Sequence, residues 1–236
     1  MNLAIIPARG GSKRIRNKNI VDFCGRPIIS YSLDSARDSG LFDKIHVSTD
    51  SPEITAVVEG LGYPIDFPRA PELADDMTHI MPVARWVAEQ YVARGEQLET
   101  ICLLLPCAPL ITADDLRGAY EAFKKHGPRA PLVPVVPFGF PIQRALYKGE
   151  DQMLHPLFPE HWSKRSQDLP PTFHDAGAFY FFSAEMVLSG GQTIGDDMIP
   201  YLIPRHRAVD IDEPEDLCLA EIIHRGVRAR ESETAK

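Results

Sequence analysis

The residues best suited to chemistry are concentrated in one loop near the start of the chain. This loop follows an apolar run and contains two adjacent glycines and five basic residues: Gly10, Gly11, Arg9, Lys13, Arg14, Arg16 and Lys18. Adjacent glycines let backbone N–H groups turn toward an anion, and guanidinium and ammonium groups donate charge-assisted hydrogen bonds to phosphate oxygens. The composition therefore predicts a phosphate-binding loop, with a solvated basic loop as the alternative.

Two acids near the other end of the chain form the second candidate group. Asp210 and Asp212 are two residues apart at the end of a predicted strand, so their side chains would share one face. Paired carboxylates are suitable ligands for a Mg²⁺ ion that bridges phosphates. The alternative is an acidic turn that begins a helix, where the helix dipole favours negative charge.

The composition limits the classes of partner. The chain has 236 residues and a formal net charge of -8, which argues against a general nucleic-acid binder and makes the basic loop a local feature. No apolar run reaches the length of a membrane helix and no signal peptide is recognised, so we expect a cytoplasmic protein without a membrane partner. The spacing of the four cysteines indicates free thiols rather than a zinc site or a disulfide framework.

Alternating apolar and amphipathic segments define the elements that must position these residues. Strands are predicted at residues 3–6, 44–50, 63–67, 101–105, 131–137, 173–182 and 207–211, and helices at 26–37, 52–61, 78–93, from 112 onward, 184–188 and 213–224. This alternation predicts an α/β fold with a mainly parallel sheet and helices on both faces. The basic loop would then lie at the carboxyl edge of the sheet, where open α/β sheets bind ligands.

The domain organisation follows from one irregular stretch. Residues 138–171 have no sustained helical period and mix prolines, aromatic residues and charges. Long irregular segments are usually functional, so we expect an excursion that closes part of the site or contacts a second subunit. The prediction is one domain over residues 1–228 with this insertion, followed by a frayed tail at 229–236.

Several motifs together carry a resemblance to a known family. The basic loop lacks the spacing of a P-loop and of a dinucleotide fingerprint, and the chain has no GxSxG elbow. Residues 6–19 instead resemble the N-terminal motif of the CMP-sialic acid synthetase family, whose members activate acidic nonulosonic sugars with CTP. Further segments match in family order: STDS at 48–51, RAPELADD at 69–76, PCAPL at 106–110, SQDLP at 166–170, HDAG at 174–177 and DID at 210–212.

The resemblance implies a Rossmann-like nucleotidyltransferase fold, a homodimer and a set of nucleotide contacts. Arg9 and Lys18 would bind the triphosphate of CTP, Arg69 and Thr78 would lie near the cytosine and the ribose, and Asp210 and Asp212 would bind Mg²⁺. The supporting nucleotide contacts would be Ala8, Gly10, Gly11, Ser12 and Asn19. The alternative role for Arg69 is a salt bridge with a nearby acid, for which Glu72 is one candidate.

The resemblance also implies where the sugar binds. The candidate sugar contacts are Cys107, Arg165, Gln167, His174, Asp175 and Gly177. A guanidinium such as that of Arg165 fits a carboxylate bidentately. The chain has Leu105 and Cys107 where the sialic acid enzymes usually have glutamine and threonine, and Ala176 where they have asparagine. These departures resemble the pseudaminic acid branch.

Three other acceptors and one non-enzymatic role stay open at this point. N-acetylneuraminate, legionaminate and 3-deoxy-manno-octulosonate are the alternative acceptor sugars. The non-enzymatic alternative is an inactive nucleotide-binding module on the same fold. Retention of Arg9, Lys18, Asp210 and Asp212 argues against this module, because a pure binder has less need of both the phosphate loop and the metal pair.

Overall fold

The structure is a computed structural model that describes residues 1–75, 77–127, 129–190 and 197–234. The strands are β1 (Asn2–Pro7), β2 (Asp22–Phe23), β3 (Arg26–Pro27), β4 (Lys44–Ser48), β5 (Thr100–Leu104), β6 (Leu132–Pro137), β7 (Leu146–Lys148), β8 (Leu154–Pro156), β9 (Phe173–Asp175), β10 (Phe179–Ser183) and β11 (Ile199–Leu202). The helices are α1 (Ile29–Ser39), α2 (Pro52–Gly60), α3 (Ile80–Ala93), α4 (Ala113–His126), α5 (Ala184–Ser189) and α6 (Pro214–Thr234).

One central sheet has the order β11-β6-β10-β5-β1-β4, with β9 also paired to β6. β1 is parallel to β4 and β5, and β11 is parallel to β6, whereas β10 is antiparallel to both β5 and β6. β9 is also antiparallel to β6. β4, β1, β5, β6 and β11 therefore run in one direction, which confirms the predicted mainly parallel sheet.

Helices cover both faces of this sheet, as the apolar strands predicted. β1 contributes Ile6 to a core beneath α1, α2 and α4, and it contributes Leu3 and Ile5 to a second core beneath α3 and α5. All three side chains are fully buried. A strand buried on both faces explains why this segment reads as an uninterrupted apolar run.

The structure corrects several predicted elements. Residues 63–67 form an irregular segment rather than a strand, and residues 207–211 form no strand, whereas β11 was not predicted. The predicted strand 173–182 is two strands separated at Gly177, whose φ of +60° interrupts the extended backbone. Arg26 and Pro27 form β3 instead of starting α1, and α6 continues ten residues beyond its predicted end.

The proline-rich strand β6 lies inside the sheet, between β10 and β11, and not at an edge. Its prolines serve as acceptors rather than donors. The carbonyl of Pro134 accepts from the N–H of Ala176, and the carbonyl of Pro131, just before the strand, accepts from the N–H of Ile199. Proline lacks the backbone N–H donor but keeps its carbonyl acceptor, so these prolines still take part in the hydrogen bonds of the sheet.

The excursion at residues 138–171 contains the antiparallel hairpin β7–β8 and three short 3-10 turns, at Ile142–Arg144, Pro159–His161 and Ser166–Asp168. Several large apolar side chains on it are exposed, including Phe140 at 87% and Leu154 at 64%. No helix among the described residues has the length and apolarity needed to cross a membrane.

A buried histidine on β4, His46, lies among aromatic side chains. His46 stacks on Phe67 with ring centroids 4.4 Å apart, and its Nδ1 lies 3.1 Å from the hydroxyl of Tyr91. Since that hydroxyl donates its proton to Asp66, the Nδ1 of His46 must donate to Tyr91 and carry the ring proton. Burial lowers the pKa of His46 to about 4.

We expect His46 to destabilise the fold as the pH falls from about 6.5 to about 4. The unfolded histidine takes up a proton near its ordinary pKa of 6.5, whereas the folded one resists protonation until about pH 4. The free energy of unfolding should therefore fall by about 2 kcal/mol between pH 8 and pH 5 through this group. Urea unfolding of the protein and of His46→Phe at both pH values measures this difference. Identical pH dependence in the two proteins would contradict it.

Candidate active site

The basic loop is fixed by contacts with the end of the neighbouring strand β4. The N–H of Ala8 donates to the carbonyl of Ser48 (2.9 Å), and the N–H of Gly10 donates to Asp50 Oδ1 (2.9 Å). A Cβ at Gly10 would lie 3.3 Å from the Cβ of Ser51, and Gly11 has a φ of +75°. The two glycines are therefore needed for a close approach and for a left-handed turn, respectively.

The loop closes on itself through Asn19. The side chain of Asn19 is buried, and its Nδ2 donates to the carbonyl of Arg9 at 2.9 Å. Asn19 belongs to a 3-10 turn, Lys18–Ile20, that begins after a left-handed Asn17. This contact places Arg9 and Lys18 on the two sides of the same loop.

Lys18 joins the loop to the acidic segment near the other end of the chain. Its Nζ donates to the carbonyl of Ile211 (2.8 Å) and to Asp212 Oδ1 (3.0 Å), and Arg14 pairs with Asp212 Oδ2 (2.9 Å). Burial alone would raise the pKa of Asp212, but the hydrogen bonds and charges of Lys18 and Arg14 outweigh it and lower the pKa. The structure thus brings together the two groups that the sequence singled out separately.

A cavity of about 390 Å³ opens between these two groups. It is lined by Arg9, Ser12, Lys13, Arg14, Ile15, Lys18, Asn19 and Asp212. Four of these side chains are cationic and one is a carboxylate, so the cavity suits a small, highly charged anion. The predicted contact Ser12 faces this space.

Asp210 lies on the same segment, where the residue is exposed to solvent and neighbouring atoms shield part of its carboxyl. Burial raises the pKa of its carboxyl, and the charges of Asp212 and Asp175 raise it further, while Lys18 opposes them. The two acids lie on an irregular segment between the 3-10 turn Arg205–Arg207 and α6, so a shared strand does not orient them as predicted. A Cβ at Gly177 would lie 3.3 Å from the Cγ of Asp210, so glycine leaves room for this carboxyl.

The donor set at Asp210 and Asp212 fits a magnesium ion. Within the described parts of the chain, no three or more His, Cys, Asp or Glu side chains gather to hold a metal. Mg²⁺ usually takes one or two protein carboxylates and completes its shell with water and substrate phosphates. Asp212 lines the cavity, and Asp210 lies within electrostatic reach of Asp212 and Lys18, so the pair meets that requirement, although Lys18 and Arg14 would share Asp212 with the ion.

Arg69 lies behind the loop, at the end of β4. Its guanidinium donates to the hydroxyl of Ser48 (3.2 Å) and to the carbonyl of Ser48 (2.7 Å), and only 5% of the residue is exposed. Burial lowers the pKa of Arg69, and Asp50 raises it while Arg9 lowers it. Among the described residues the hydrogen bonds of Arg69 go to Ser48, and no ion pair joins it to Glu72.

The predicted sugar contacts divide into two sets. Asp175 is held at the site, since it accepts from the N–H of Gly177 (2.9 Å) and from the hydroxyl of Tyr180 (2.7 Å). His174 bonds the carbonyl of Asp175 through Nδ1 (2.8 Å) and packs against Phe138. Cys107 contacts the basic loop rather than open space.

Among the residues that the structure describes, no contact links Arg165, Gln167 or Thr78 to the loop. The guanidinium of Arg165 is 73% exposed and pairs with Asp168 at 2.7 Å, on the same exposed turn as Gln167. The N–H of Thr78 donates to Asp75 within its own loop (2.6 Å), and the adjoining motif residue Asp76 lies outside the described residues. The roles of these three residues stay predictions.

Three residues that shape the site were not among the individual contacts predicted from the sequence. Arg14 pairs with Asp212, Asp50 fixes Gly10, and Tyr180 fixes Asp175. Asp50 carried a usable signal, because it is the last residue of a predicted parallel strand at the same edge as the loop. Arg14 was predicted only as a basic residue of the loop and Tyr180 carried no signal, since their partners are brought near only by the folded chain.

Comparison with known proteins gives the site a context. The family model described as cytidylyltransferase matches residues 3–148. A pseudaminic acid cytidylyltransferase of Campylobacter jejuni is 38% identical over 224 residues, which cover 95% of this chain and 96% of that protein. A CMP-N,N'-diacetyllegionaminic acid synthase of Legionella pneumophila is 27% identical over 226 residues, covering 93% and 94% of the two chains.

A solved structure has the same architecture. The structure of CMP:2-keto-3-deoxy-manno-octonic acid synthetase complexed with CTP superposes with a TM-score of 0.68, over 98% of this chain and 99% of that one. Only 15% of the residues are identical. This likeness therefore concerns the fold, which is the α/β nucleotidyltransferase fold that the sequence predicted.

Proposed function

Because the chain belongs to the cytidylyltransferase family and is a nucleotidyltransferase that uses CTP, we propose that it transfers CMP to pseudaminic acid and releases pyrophosphate. One observation carries the choice of sugar. The pseudaminic acid enzyme of C. jejuni is 38% identical along almost the whole of both chains, against 27% for the legionaminic acid enzyme at similar coverage. N-acetylneuraminate, legionaminate and 3-deoxy-manno-octulosonate are the competing acceptors.

In the proposed reaction, the anomeric hydroxyl of the sugar attacks the α-phosphorus of CTP in line. The bond from this oxygen to phosphorus forms, the bond from the α-phosphorus to the bridging oxygen of the β-phosphate breaks, and the hydroxyl proton leaves to water. Little covalent chemistry falls to the protein, so positioning and charge neutralisation dominate. Arg9 and Lys18 would hold the triphosphate, and Lys18 would offset the negative charge that builds on the departing pyrophosphate.

We propose that Asp210 and Asp212 hold Mg²⁺ at this site. When bound, the ion would polarise the phosphate and lower the pKa of the attacking hydroxyl. The chain itself contributes the two carboxylates, the cations that balance their charge, and the glycine at 177 that leaves space beside Asp210.

The test is a pyrophosphate-release assay in which a panel of nonulosonic acids is crossed with CTP, UTP and ATP. We expect turnover with CTP and pseudaminic acid, at a kcat/KM at least tenfold above that for any other acid. Selective use of N-acetylneuraminate or legionaminate would overturn the sugar assignment alone. Absence of turnover with every acid would favour the inactive nucleotide-binding module.

The location is proposed on the same basis. A reaction that consumes CTP is suited to the cytoplasm, where this nucleotide is available. We therefore propose a cytoplasmic enzyme whose partners are CTP and an acidic sugar, with neither nucleic acid nor membrane among them. The net charge of -8 supports the absence of a nucleic-acid partner.

We propose further that the chain forms a homodimer through the excursion at residues 138–171. Several large apolar side chains exposed on one excursion are unusual for a monomer and typical of an interface. They include Phe140, Leu146, Tyr147, Leu154 and Leu157, each between 45% and 87% exposed. A second copy is the occupant that would bury them.

The mass of the protein in solution tests the proposed homodimer. Light scattering should report about twice the chain mass of 26.3 kDa. Leu154→Asp places a charge in the proposed interface and should shift the mass toward the monomer. Ile222→Asp is the matched control, because Ile222 is similarly exposed (62%) but lies on α6. A monomeric mass for the unmodified protein at micromolar concentration would contradict the prediction.

A further inference from the structure

The thiol of Cys107, a partly exposed residue, contacts the basic loop. Cys107 follows β5, and its Sγ lies 3.4 Å from Asn19 Oδ1 and 3.7 Å from the carbonyl oxygen of Lys18. Burial raises the pKa of this thiol to about 12, so it stays protonated at neutral pH and retains its hydrogen-bond donor.

The partners of Asn19 determine the direction of these hydrogen bonds. The carbonyl of Arg9 can only accept, so the amide nitrogen of Asn19 must face it, as the distance of 2.9 Å shows. The amide oxygen of Asn19 then faces Cys107, and the thiol must be the donor. A chain of donors therefore runs from Cys107 through Asn19 to the backbone of Arg9.

The surroundings of Cys107 give it a second link to the same region. Cys107 packs against a small apolar cluster that includes Ile15 from the basic loop and Ile211 from the acidic segment. The side chain thus lies where the loop, the acidic segment and the turn after β5 meet. Its only side-chain hydrogen bonds, within the described residues, go to the loop.

We propose that Cys107 is a positioning residue for the nucleotide and not a ligand of the sugar. By orienting Asn19, its thiol holds the Arg9 and Lys18 sides of the loop at the spacing that the triphosphate requires. This inference rests on the proposed function for the identity of the nucleotide, and it replaces the role in sugar binding that the family resemblance implies for Cys107.

The test compares Cys107→Val with Cys107→Ser. Valine keeps the apolar packing and removes the donor, whereas serine keeps a donor. Calorimetric titration with CTP in the absence of sugar should show about fivefold weaker binding by Cys107→Val and near-normal binding by Cys107→Ser. The KM for the sugar should change less than twofold in both. Cys218→Val, at an exposed cysteine on α6, is the matched control and should behave as the unmodified protein.

A double-mutant cycle keeps the proposal testable if Cys107→Val also loses some stability. If the thiol acts through Asn19, then Cys107→Val should weaken CTP binding about fivefold in the unmodified protein and have no further effect in Asn19→Ala. Equal effects in both backgrounds would overturn this route. An increase in the sugar KM with unchanged CTP affinity would overturn the proposal in favour of a sugar ligand. Failure of the unmodified protein to bind CTP would instead refute the proposed function, and this inference with it.

Discussion

Replacing Lys18 with methionine is expected to lower kcat/KM by about two to three orders of magnitude, as the loss of one preorganised charge-stabilising group does in other enzymes. The Lys18 ammonium lies at the centre of the site, 2.8 Å from the carbonyl of Ile211 and 3.0 Å from Asp212 Oδ1. Methionine has similar length and apolar volume, so the substitution removes chiefly the charge. The loss should appear in kcat more than in the KM for the sugar.

The comparison that isolates this effect uses Lys125→Met, because Lys125 is exposed at the end of α4 and lies on an element without site residues. Steady-state kinetics on the two variants, with thermal unfolding to check the fold, separates lost chemistry from lost structure. A Lys18→Met enzyme that retained more than a tenth of the normal kcat/KM would show that Lys18 is not needed to stabilise the transition state.

Asp212→Asn is expected to abolish the magnesium-dependent part of turnover, a fall of at least about a hundredfold at saturating Mg²⁺. An amide is a much weaker ligand for a hard cation than a carboxylate of nearly the same shape. The fold should survive, because the pairs that Asp212 makes with Lys18 and Arg14 are partly exposed and contribute at most about 1 kcal/mol each.

A Mg²⁺ titration of the reaction rate, together with calorimetry of Mg²⁺ and CTP binding, provides the measurement for Asp212→Asn. Asp114→Asn is the control, since Asp114 is 86% exposed, belongs to α4 and pairs with Arg117. We expect it to leave both the rate and its Mg²⁺ dependence unchanged. Normal Mg²⁺ dependence in Asp212→Asn would remove this residue from the proposed metal site.

The parts of the fold that could be predicted are those whose local pattern has a single physical explanation. β1 and β5 are continuous apolar runs, and such runs are stable only in a sheet covered on both faces. The strand predicted at residues 207–211, next to Asp212, was wrong, because a mixture of apolar and polar residues resembles a strand even when no partner strand is available. β6 was predicted as a strand, but its place between β10 and β11 was not, because strand order depends on segments that are distant in the sequence.

The parts of the site that could be predicted are likewise those that are encoded locally in the sequence. The glycines and cations of the loop are close in sequence, so their shared role could be read locally. The contacts of Cys107 with Asn19 and of Arg14 with Asp212 join residues 88 and 198 positions apart, respectively, and no local pattern encodes them. Sequence reasoning therefore found the two halves of the site but not the contacts that join them.

The contact between Lys18 and Asp212 also bears on how the protein becomes active during its synthesis. The two residues are separated by 194 positions. By contrast, β1, which leads into the loop, pairs with β4 and β5, and both of these strands are synthesised well before Asp212. At roughly 5–20 residues per second, a ribosome needs about 10 to 40 s to pass from one residue to the other. A nascent chain can thus assemble most of its sheet while the site still lacks Asp210 and Asp212. Catalytic competence should arise only after the segment before α6 has left the ribosome.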